Sequence, residues 1–440
     1  MRSKALKKYL QSKIVFILLT FIFLSASANF TNSQTKDELS PKDRIKVFEK
    51  VWDLINDRYY DPKLNGVDWK NVKEKYKPLV EKSVSDEDFY NILKQLTGEM
   101  NDAHTRFLTP REANEFKKKE GTTVGVLLTK IEGKTVVEKV LPDSEADNAN
   151  VRAGMIVRTI DGQTIADKIA EIEKGVGASS SDRATEILVY RRLLSGEPET
   201  RVKIGLIDEN GEDFEVSLTR KVISQESKVY VEKSDSGIGY ISVSSFRAPI
   251  SDKFKDALLE LKDTSGLIID LRFNGGGNIS EVLRMAGFLL NDEYPFGKYL
   301  RRDGDEKQKL RDFSAGIKGG QIYSAPVVIL VSKYSASGSE LFSSGLQEFG
   351  RAKIIGSQTC GCLLGISRFY QMKGGGELHI SDIGFLSAKG KIYEKIGVTP
   401  DKIVGLKIND LRNNIDVGIV EAEKILSGKT KTRQTLTDYN

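Results

Sequence analysis

Residues 265–278 read SGLIIDLRFNGGGN and residues 325–340 read APVVILVSKYSASGSE. In each, a nearly all-apolar run stops at a loop of glycines or serines. A helix-forming stretch follows, SEVLRMAGFLL at 280–290 and ELFSSGLQEFG at 340–350. A strand without polar alternation is one covered on both faces, and strands that alternate with helices build a largely parallel sheet. GYISVSSF at 239–246 supplies a further run of the same kind. Functional groups in such sheets gather where strands end and helices begin, which singles out RFNGGGN and SKYSASGS.

Upstream, the pattern changes twice. Within 41–101, Ile45, Phe48, Trp52, Ile55 and Tyr59 recur at helical spacing. A second helix is expected from Ser85, with Asp88 placed as in a capping box and Phe89, Ile92, Leu93, Leu96 and Met100 inward. His104 falls on its exit loop. Residues 121–220 then carry short β-rich runs (TTVGVLL, TVVEKVL, MIVRTIDG, RVKIGLI, DFEVSLT), interrupted by a helical stretch from Asp182 to Leu194. The expected organisation is multi-domain α/β: a leader at 1–28, a helical domain at 29–112, a β domain at 113–225, an α/β core at 226–410, and a C-terminal helix with a polar tail at 411–440.

The 440 residues are 39% apolar and 29% charged, enough for two or three cored domains. Lys and Arg number 67 against 62 Asp and Glu, but Arg2, Lys4, Lys7, Lys8 and Lys13 lie in an acid-free start, and without them the signs balance. That removes the main support for a nucleic-acid partner. The basic start, the run IVFILLTFIFL at 14–24 and Ala26-Ser27-Ala28 read as a cleaved secretory signal. The chain is therefore expected to be exported, periplasmic or secreted, without a stable span after cleavage. An uncleaved anchor is the lesser alternative, since eleven apolar residues fall short of the roughly 20 a spanning helix needs.

Ser337 stands at the junction of a strand and a helix, where free amides and the helix dipole face a developing oxyanion. Gly338 with Gly275 and Gly276 would form a two-donor hole if the loops adjoin. Ser337 and Glu340 are also spaced as an ordinary capping box. The glycines lack the G-x-G-x-x-G and G-K-[ST] spacings of phosphate loops, so no nucleotide cofactor is expected. Any imidazole chemistry must use His104 or His379, the two histidines of the chain. In ELHISD, alternation puts His379 on the open face of a half-exposed strand. Cys360 and Cys362 are read as small, buried, reduced thiols. Alternate residues of a strand lie near 7 Å apart, at the limit for a disulfide, and C-x-C with two remote histidines is a weak zinc pattern, so no metal is expected.

Together, IIDLRFNGGG, SASGSELFSSGLQEFGRAKIIGSQTCG, EKIGVTPD and NDAHT resemble the tail-specific, or C-terminal-processing, serine peptidases. The run VRAG before MIVRTIDGQTI resembles a PDZ domain, whose carboxylate-binding turn would fall on Thr123, Val124 and Gly125. The resemblance implies a polypeptide substrate, cleaved near the ends of unfolded or tagged chains, with Ser337 as nucleophile and no cofactor. In the Ser/Lys branch the base is a lysine in T-x-G-K, and Cys362 occupies that position here; the glutamine that follows there aligns with Ile366. The tricorn core protease is the nearer branch, through YYDPKLNGVDW and NDAHT. It implies His104 as base and Glu394 as orienting acid, while a serine beside its histidine is Ala103 here. Imidazole, with an ordinary pKa near 6.5, suits a general base worth about 10²- to 10⁴-fold. The alternative is a catalytically silent peptide- or ligand-binding protein that kept the architecture.

Overall fold

The computed structural model describes residues 38–304 and 307–428. The expected leader at 1–28 and the end of the polar tail lie outside the described residues. Three helices open the chain: Pro41–Arg58, Trp69–Lys82 and Asp86–Gly98. Each starts where a side chain accepts an orphan amide: Ser40 from Asp43, Asp68 from Asn71, Ser85 from Asp88. Their shared core holds Phe48, Val51, Ile55, Trp69, Tyr76, Phe89, Leu93 and Leu96. The middle helix was not anticipated, because Pro78 and five lysines mask a Trp69/Val72/Tyr76/Val80 face.

The helical layer is not self-contained. Strand Arg106–Leu108 pairs antiparallel with Glu377–His379, Arg106 opposite His379, and Phe107 shares its core with Met372, Leu378 and Ile380. The expected boundary at 112 falls inside the helix Pro110–Lys118. His379 is not on an open face: it is 0% exposed. Phe369 stacks on its ring at 4.3 Å, and Phe116 of that helix meets it edge-on at 5.2 Å. Strand alternation alone could not reveal a second cover supplied from 263 residues upstream.

A two-stranded ribbon, Glu120–Thr123 with Lys221–Ser224, leads into and out of the β domain. Its strands Val126–Ile131, Lys134–Val140, Ile156–Ile160, Arg201–Ile207 and Asp213–Thr219 lie in that order, antiparallel. Along Arg201–Ile207, Val202, Ile204 and Leu206 point inward, the period-2 signature of a half-buried strand. Asp161 and Gly162, both at positive φ, turn the chain into Gln163–Thr164. The helices Ile165–Lys174 and Asp182–Leu193 complete the domain; the first of these was not expected.

The core sheet runs Val229–Lys233, Ile238–Val243, Gly266–Asp270, Val327–Val331, Ala352–Gly356, Lys402–Ile403, the first pair antiparallel and the rest parallel. Every residue of Gly266–Asp270 and Val327–Val331 is buried, since helices cover both faces. Leu267, Ile269, Ile329 and Val331 pack against the helices Ile250–Glu260, Ile279–Gly287 and Gly338–Glu348. Ile268, Val328 and Leu330 pack on Ile419 and Ala422 of Val417–Ser427. The last helix therefore belongs to the core, and the expected division at 411 separates an element from the sheet it covers. Arg272 ties it down, bonding Asp270 (2.6 Å) and Asp416 (2.6 Å), whose carboxylate caps that helix at Ile419. No helix among the described residues is long and apolar enough to cross a membrane.

Candidate active site

The two loops singled out from sequence lie side by side at the carboxyl edge of the core sheet and are stitched together. Ser335 Oγ donates to the Leu271 carbonyl (2.7 Å), Ser332 Oγ to that of Arg272, and Ser339 Oγ to that of Asn274 (2.7 Å), which also accepts Ala336 N–H (3.2 Å). Asn274 is itself anchored by its amide to the Val243 carbonyl (3.0 Å). Among the described residues the hydroxyl of Ser337 alone in this run donates to no carbonyl. Ser337 also has φ 53 and ψ −112 at the N-cap of Gly338–Glu348. A serine at positive φ is strained, and here the turn lifts its side chain off the helix into a cleft.

Close approach of the glycines is required by the packing. A Cβ on Gly276 (φ +99) would sit 2.7 Å from Ser337 Cβ and 2.8 Å from Gly338 N, and one on Gly338 would sit 3.2 Å from Gly277 N. The Gly276 amide is engaged by Asn274 Oδ1 at 2.9 Å. The N–H groups of Gly275, Gly277 and Gly338 have no intramolecular acceptor among the described residues. Gly277 and Gly338, whose amides adjoin, therefore fit a two-donor hole better than the expected Gly276.

His104, Ser337, Gly275, Gly276, Gly338, Thr123 and Val124 all line one cleft; Glu394 and Gly125 do not. His104 rests on an Asx turn: Asp102 Oδ1 accepts the N–H of His104 (2.8 Å) and of Thr105 (2.7 Å) and the hydroxyl of Ser381 (2.8 Å). His104 Nδ1 and Asp102 Oδ2 are both buried without a partner. Burial pushes the His104 pKa down to about 4, against an upward pull from Asp102 and a further downward push from Arg106. The imidazole is thus neutral at neutral pH, the form a base requires. The carboxylate acting on His104 is Asp102, which sequence reasoning missed; its signal was an Asp two residues before a loop histidine.

Glu394 is buried, 8% exposed, and neither carboxyl oxygen has a hydrogen-bond partner. Burial first, then the charges of Asp102 and Glu340, push its pKa up to about 8. Ser180 neighbours it, and the Ser180 hydroxyl accepts Ala103 N–H at 2.9 Å. A hydroxyl from the β domain thus stands beside the residue where Ala103 supplies none. His379 Nε2 meets Glu377 at 2.6 Å, and burial, Arg106 and His104 push its pKa down to about 3.

Cys360 and Cys362 form a disulfide, contrary to the expected free thiols. Gly361 at φ +75 turns the chain between them, bringing their Cα atoms to 5.3 Å rather than the spacing of an extended strand. Glu340, fully buried, accepts Thr359 Oγ1 (2.6 Å), Gly361 N (2.7 Å), Cys362 N (2.9 Å) and Ser337 N (3.0 Å). The capping acid is therefore the peg on which the cysteine loop and the serine turn hang. Ala103 and Ala336 pack in one apolar cluster with the two cysteines. Ser181 Oγ donates to the Cys360 carbonyl and Arg183 to that of Thr359 (2.7 Å), docking the β domain here. Beside it, Thr123 Oγ1 accepts Gly125 N–H at 3.1 Å, Gly125 having φ +81. The described residues hold no group of three His, Cys, Asp or Glu side chains placed for a metal.

Residues 237–404 match the model of Peptidase family S41, and residues 40–98 that of the Tricorn protease C1 domain. Tricorn protease homolog 1 of Streptomyces coelicolor is 24% identical over 392 residues, 86% of this chain but 34% of that protein, so the chain spans about a third of that relative. The Carboxyl-terminal-processing protease of Synechocystis sp. is 24% identical, covering 90% of this chain and 89% of its own length. Among solved structures, the photosystem II D1 C-terminal processing protease aligns with a TM-score of 0.55 at 24% identity, over 82% of this chain and 93% of that one. Mature CPAF aligns with a TM-score of 0.68 at 13% identity, over 90% and 99%. These structural likenesses speak for the fold.

Proposed function

We propose, from the premise that residues 237–404 belong to peptidase family S41 and residues 40–98 to the tricorn protease C1 domain, that this chain is an exported serine endopeptidase acting near the C-terminal ends of unfolded or tagged polypeptides. Ser337 is the nucleophile and His104 the general base. The observation that carries the reading is the contrast among neighbouring serines: Ser332, Ser335 and Ser339 are engaged by carbonyls, while Ser337 is lifted at positive φ beside unengaged glycine amides.

In this reading His104 takes the Ser337 proton as Oγ attacks the scissile carbonyl, and the tetrahedral oxyanion is received by the N–H groups of Gly277 and Gly338. The helix Gly338–Glu348 points its positive end at that charge. Asp102 offsets the imidazolium, then His104 returns the proton to the leaving amine, and water repeats the sequence on the acyl-enzyme. Glu394, its pKa raised to about 8, stands beside Ser180 as a protonated neighbour of the site rather than as an ionised partner of the base. The β domain acts as a PDZ-like module that delivers or gates the substrate tail, with Thr123, Val124 and Gly125 at its edge. Export rests on the leader at 1–28.

The test is hydrolysis of unfolded casein, and of a peptide with an apolar C-terminus, by the mature chain and by Ser337→Ala and His104→Ala. Each variant is expected to lose about 10³-fold or more. Cleavage by either at the parental rate would overturn the assignment.

A further inference from the structure

Ser337 and His104 reach the cleft from different parts of the chain, the serine from the core sheet and the histidine from the loop that leaves the helical layer. Ser381, fully buried just after the strand Glu377–His379, is where the two parts meet. Each of its polar groups bonds a different residue of the helical side. Its N–H donates to Thr105 Oγ1 (3.1 Å), its hydroxyl donates to Asp102 Oδ1 (2.8 Å), and its carbonyl accepts Tyr60 N–H (2.9 Å). The core holds the same segment within two residues: Asp382 N–H donates to the Gly365 carbonyl (3.0 Å), and Gly365 N–H to that of Ile383 (2.7 Å). Gly365 lies three residues beyond Cys362, whose carbonyl accepts Ser337 N–H at 3.1 Å.

Asp102 Oδ1 thus receives three donors, which fills an oxygen with two lone pairs. Two of them are amides of the Asp102 turn itself; the hydroxyl of Ser381 comes from the core. Asp102 Oδ2 and His104 Nδ1 are both buried without a partner among the described residues. The ionisable groups around this carboxylate leave it as the charge that raises the His104 pKa, against burial and Arg106. Burial, with Asp102 and Glu394, pushes the Tyr59 and Tyr60 phenols up, so they stay protonated. Burial pushes Glu394 up to about 8 and His379 down to about 3, so neither is charged around pH 5.

We infer that Ser381 is a positioning residue for the base: its hydroxyl holds Asp102 from the core and takes up part of the carboxylate's charge, and so sets how strongly Asp102 draws a proton onto His104. The inference rests on the peptidase reading, in which His104 is the base, and adds the group that registers that base against Ser337. Without the hydroxyl, more of the Asp102 charge acts on the ring, and the imidazole protonates more readily. The carboxylate is also freer to turn, which costs rate rather than substrate affinity.

The test uses the full chain carrying Ser381→Ala, which removes the hydroxyl and keeps both main-chain bonds of residue 381. With two histidines in the chain, the His104 ring signal is identified by its loss in His104→Ala, and NMR reads its titration without substrate. In Ser381→Ala the titration is expected to move up from about 4 by about one pH unit. At neutral pH, kcat on the peptide with an apolar C-terminus is expected to fall about tenfold with KM within about twofold. On the Asp102→Asn background the same substitution is expected to leave the titration within about 0.3 pH unit, because the hydroxyl acts through the carboxylate. A residue that only supported the fold would lower stability in both backgrounds and leave the titration in place. Should Ser381→Ala fail to fold by circular dichroism, Ser381→Cys, a weaker donor of similar size, is expected to move the titration the same way by less. A His104 titration indifferent to the loss of the hydroxyl, a shift that persists with Asp102→Asn, or parental kcat in folded Ser381→Ala overturns the inference. A parent that hydrolyses nothing, with the titration responding as expected, would strike the peptidase reading instead and leave the link from Ser381 to His104 standing.

Discussion

The N–H of Ser337 donates to the carbonyl of Cys362 across 3.1 Å, and the Glu340 carboxylate receives the N–H groups of both residues, at 3.0 and 2.9 Å. Position 362, where the Ser/Lys branch would carry its base, is thus bound to Ser337 through the backbone. Its sulfur is joined to Cys360 and offers no proton-accepting group. What remains of that position is scaffold: a carbonyl that holds the Ser337 turn in its positive φ.

From this follows that Cys360→Ala/Cys362→Ala keeps hydrolysis within about tenfold of the parent, because the holding contacts are main-chain and a general base is worth about 10²- to 10⁴-fold. Steady-state kinetics on the peptide with an apolar C-terminus checks it. A drop to the level of Ser337→Ala would transfer the base role to a thiol.

Asp102 and Glu394 make opposite predictions as partners of the base. Asp102 is hydrogen-bonded to the turn that carries His104, and its charge acts on the ring; Glu394 is absent from the cleft lining, and burial pushes its pKa up to about 8. Asp102→Asn is expected to lower kcat by roughly 10²- to 10⁴-fold with little change in KM, and Glu394→Gln by less than about tenfold. The reverse order would restore Glu394 as the orienting acid.

The same geometry fixes the acid limb of activity. Burial holds the folded His104 near 4 against an ordinary 6.5, so the base stays unprotonated well below neutrality. Activity should hold to about pH 5 and fall by half near pH 4. Asp102 raises the His104 pKa, so Asp102→Asn should move whatever limb remains to lower pH. Both histidines resist protonation when folded, so the stability they contribute is full above about 6.5 and erodes as pH falls to about 4 for His104 and about 3 for His379. Circular dichroism at each pH separates loss of base from loss of fold; a limb centred near 6.5 in a folded protein would contradict the burial of His104.

Much of this was legible in the chain because it is written in local chemistry. Unbroken apolar runs at Gly266–Asp270 and Val327–Val331 announced a sheet covered twice, and Ser85 with Asp88 announced a helix start. Ser337 and the glycine loop were legible because a strand-to-helix junction is a local feature. What was not legible depends on long-range packing. His379 reads as half-exposed until Phe116 covers it, and Cys360 and Cys362 read as extended until Gly361 turns. Asp102 reads as one more loop acid until Ser381, 279 residues away, bonds to it.

Gly276 tests whether the two loops work as one unit. At φ +99, with Ser337 Cβ, the Ala336 carbonyl and Gly338 N all within 2.8 Å of where its Cβ would be, an alanine must displace Ser337 or the Gly338 amide. Gly276→Ala is expected to lower kcat by about 10²-fold or more and to cost roughly 1–3 kcal/mol of stability. Gly275→Ala, with open space around its Cβ, should fold with parental stability in the same urea melts. Parental kcat in Gly276→Ala would mean the glycine loop stands apart from the chemistry.

Glu394 ties stability to pH in the direction opposite to the histidines. Its folded pKa is raised to about 8 from 4.5, mainly by burial, so the folded state holds a proton that the unfolded chain releases above about 4.5. Stability therefore declines as pH rises from about 4.5 to 8 and levels off beyond, by on the order of 5 kcal/mol if the whole shift is expressed. Glu394→Gln removes the titrating group while keeping its shape. The variant should match the parent in urea melts at pH 5, exceed it at pH 8.5, and show a flatter profile between. The gain at alkaline pH identifies Glu394 as a strained acid tolerated beside Asp102. If parent and variant instead decline in parallel across that range, the carboxyl is ionised in the folded protein, and its place beside Asp102 and Glu340 must be bridged by a donor such as Ser180.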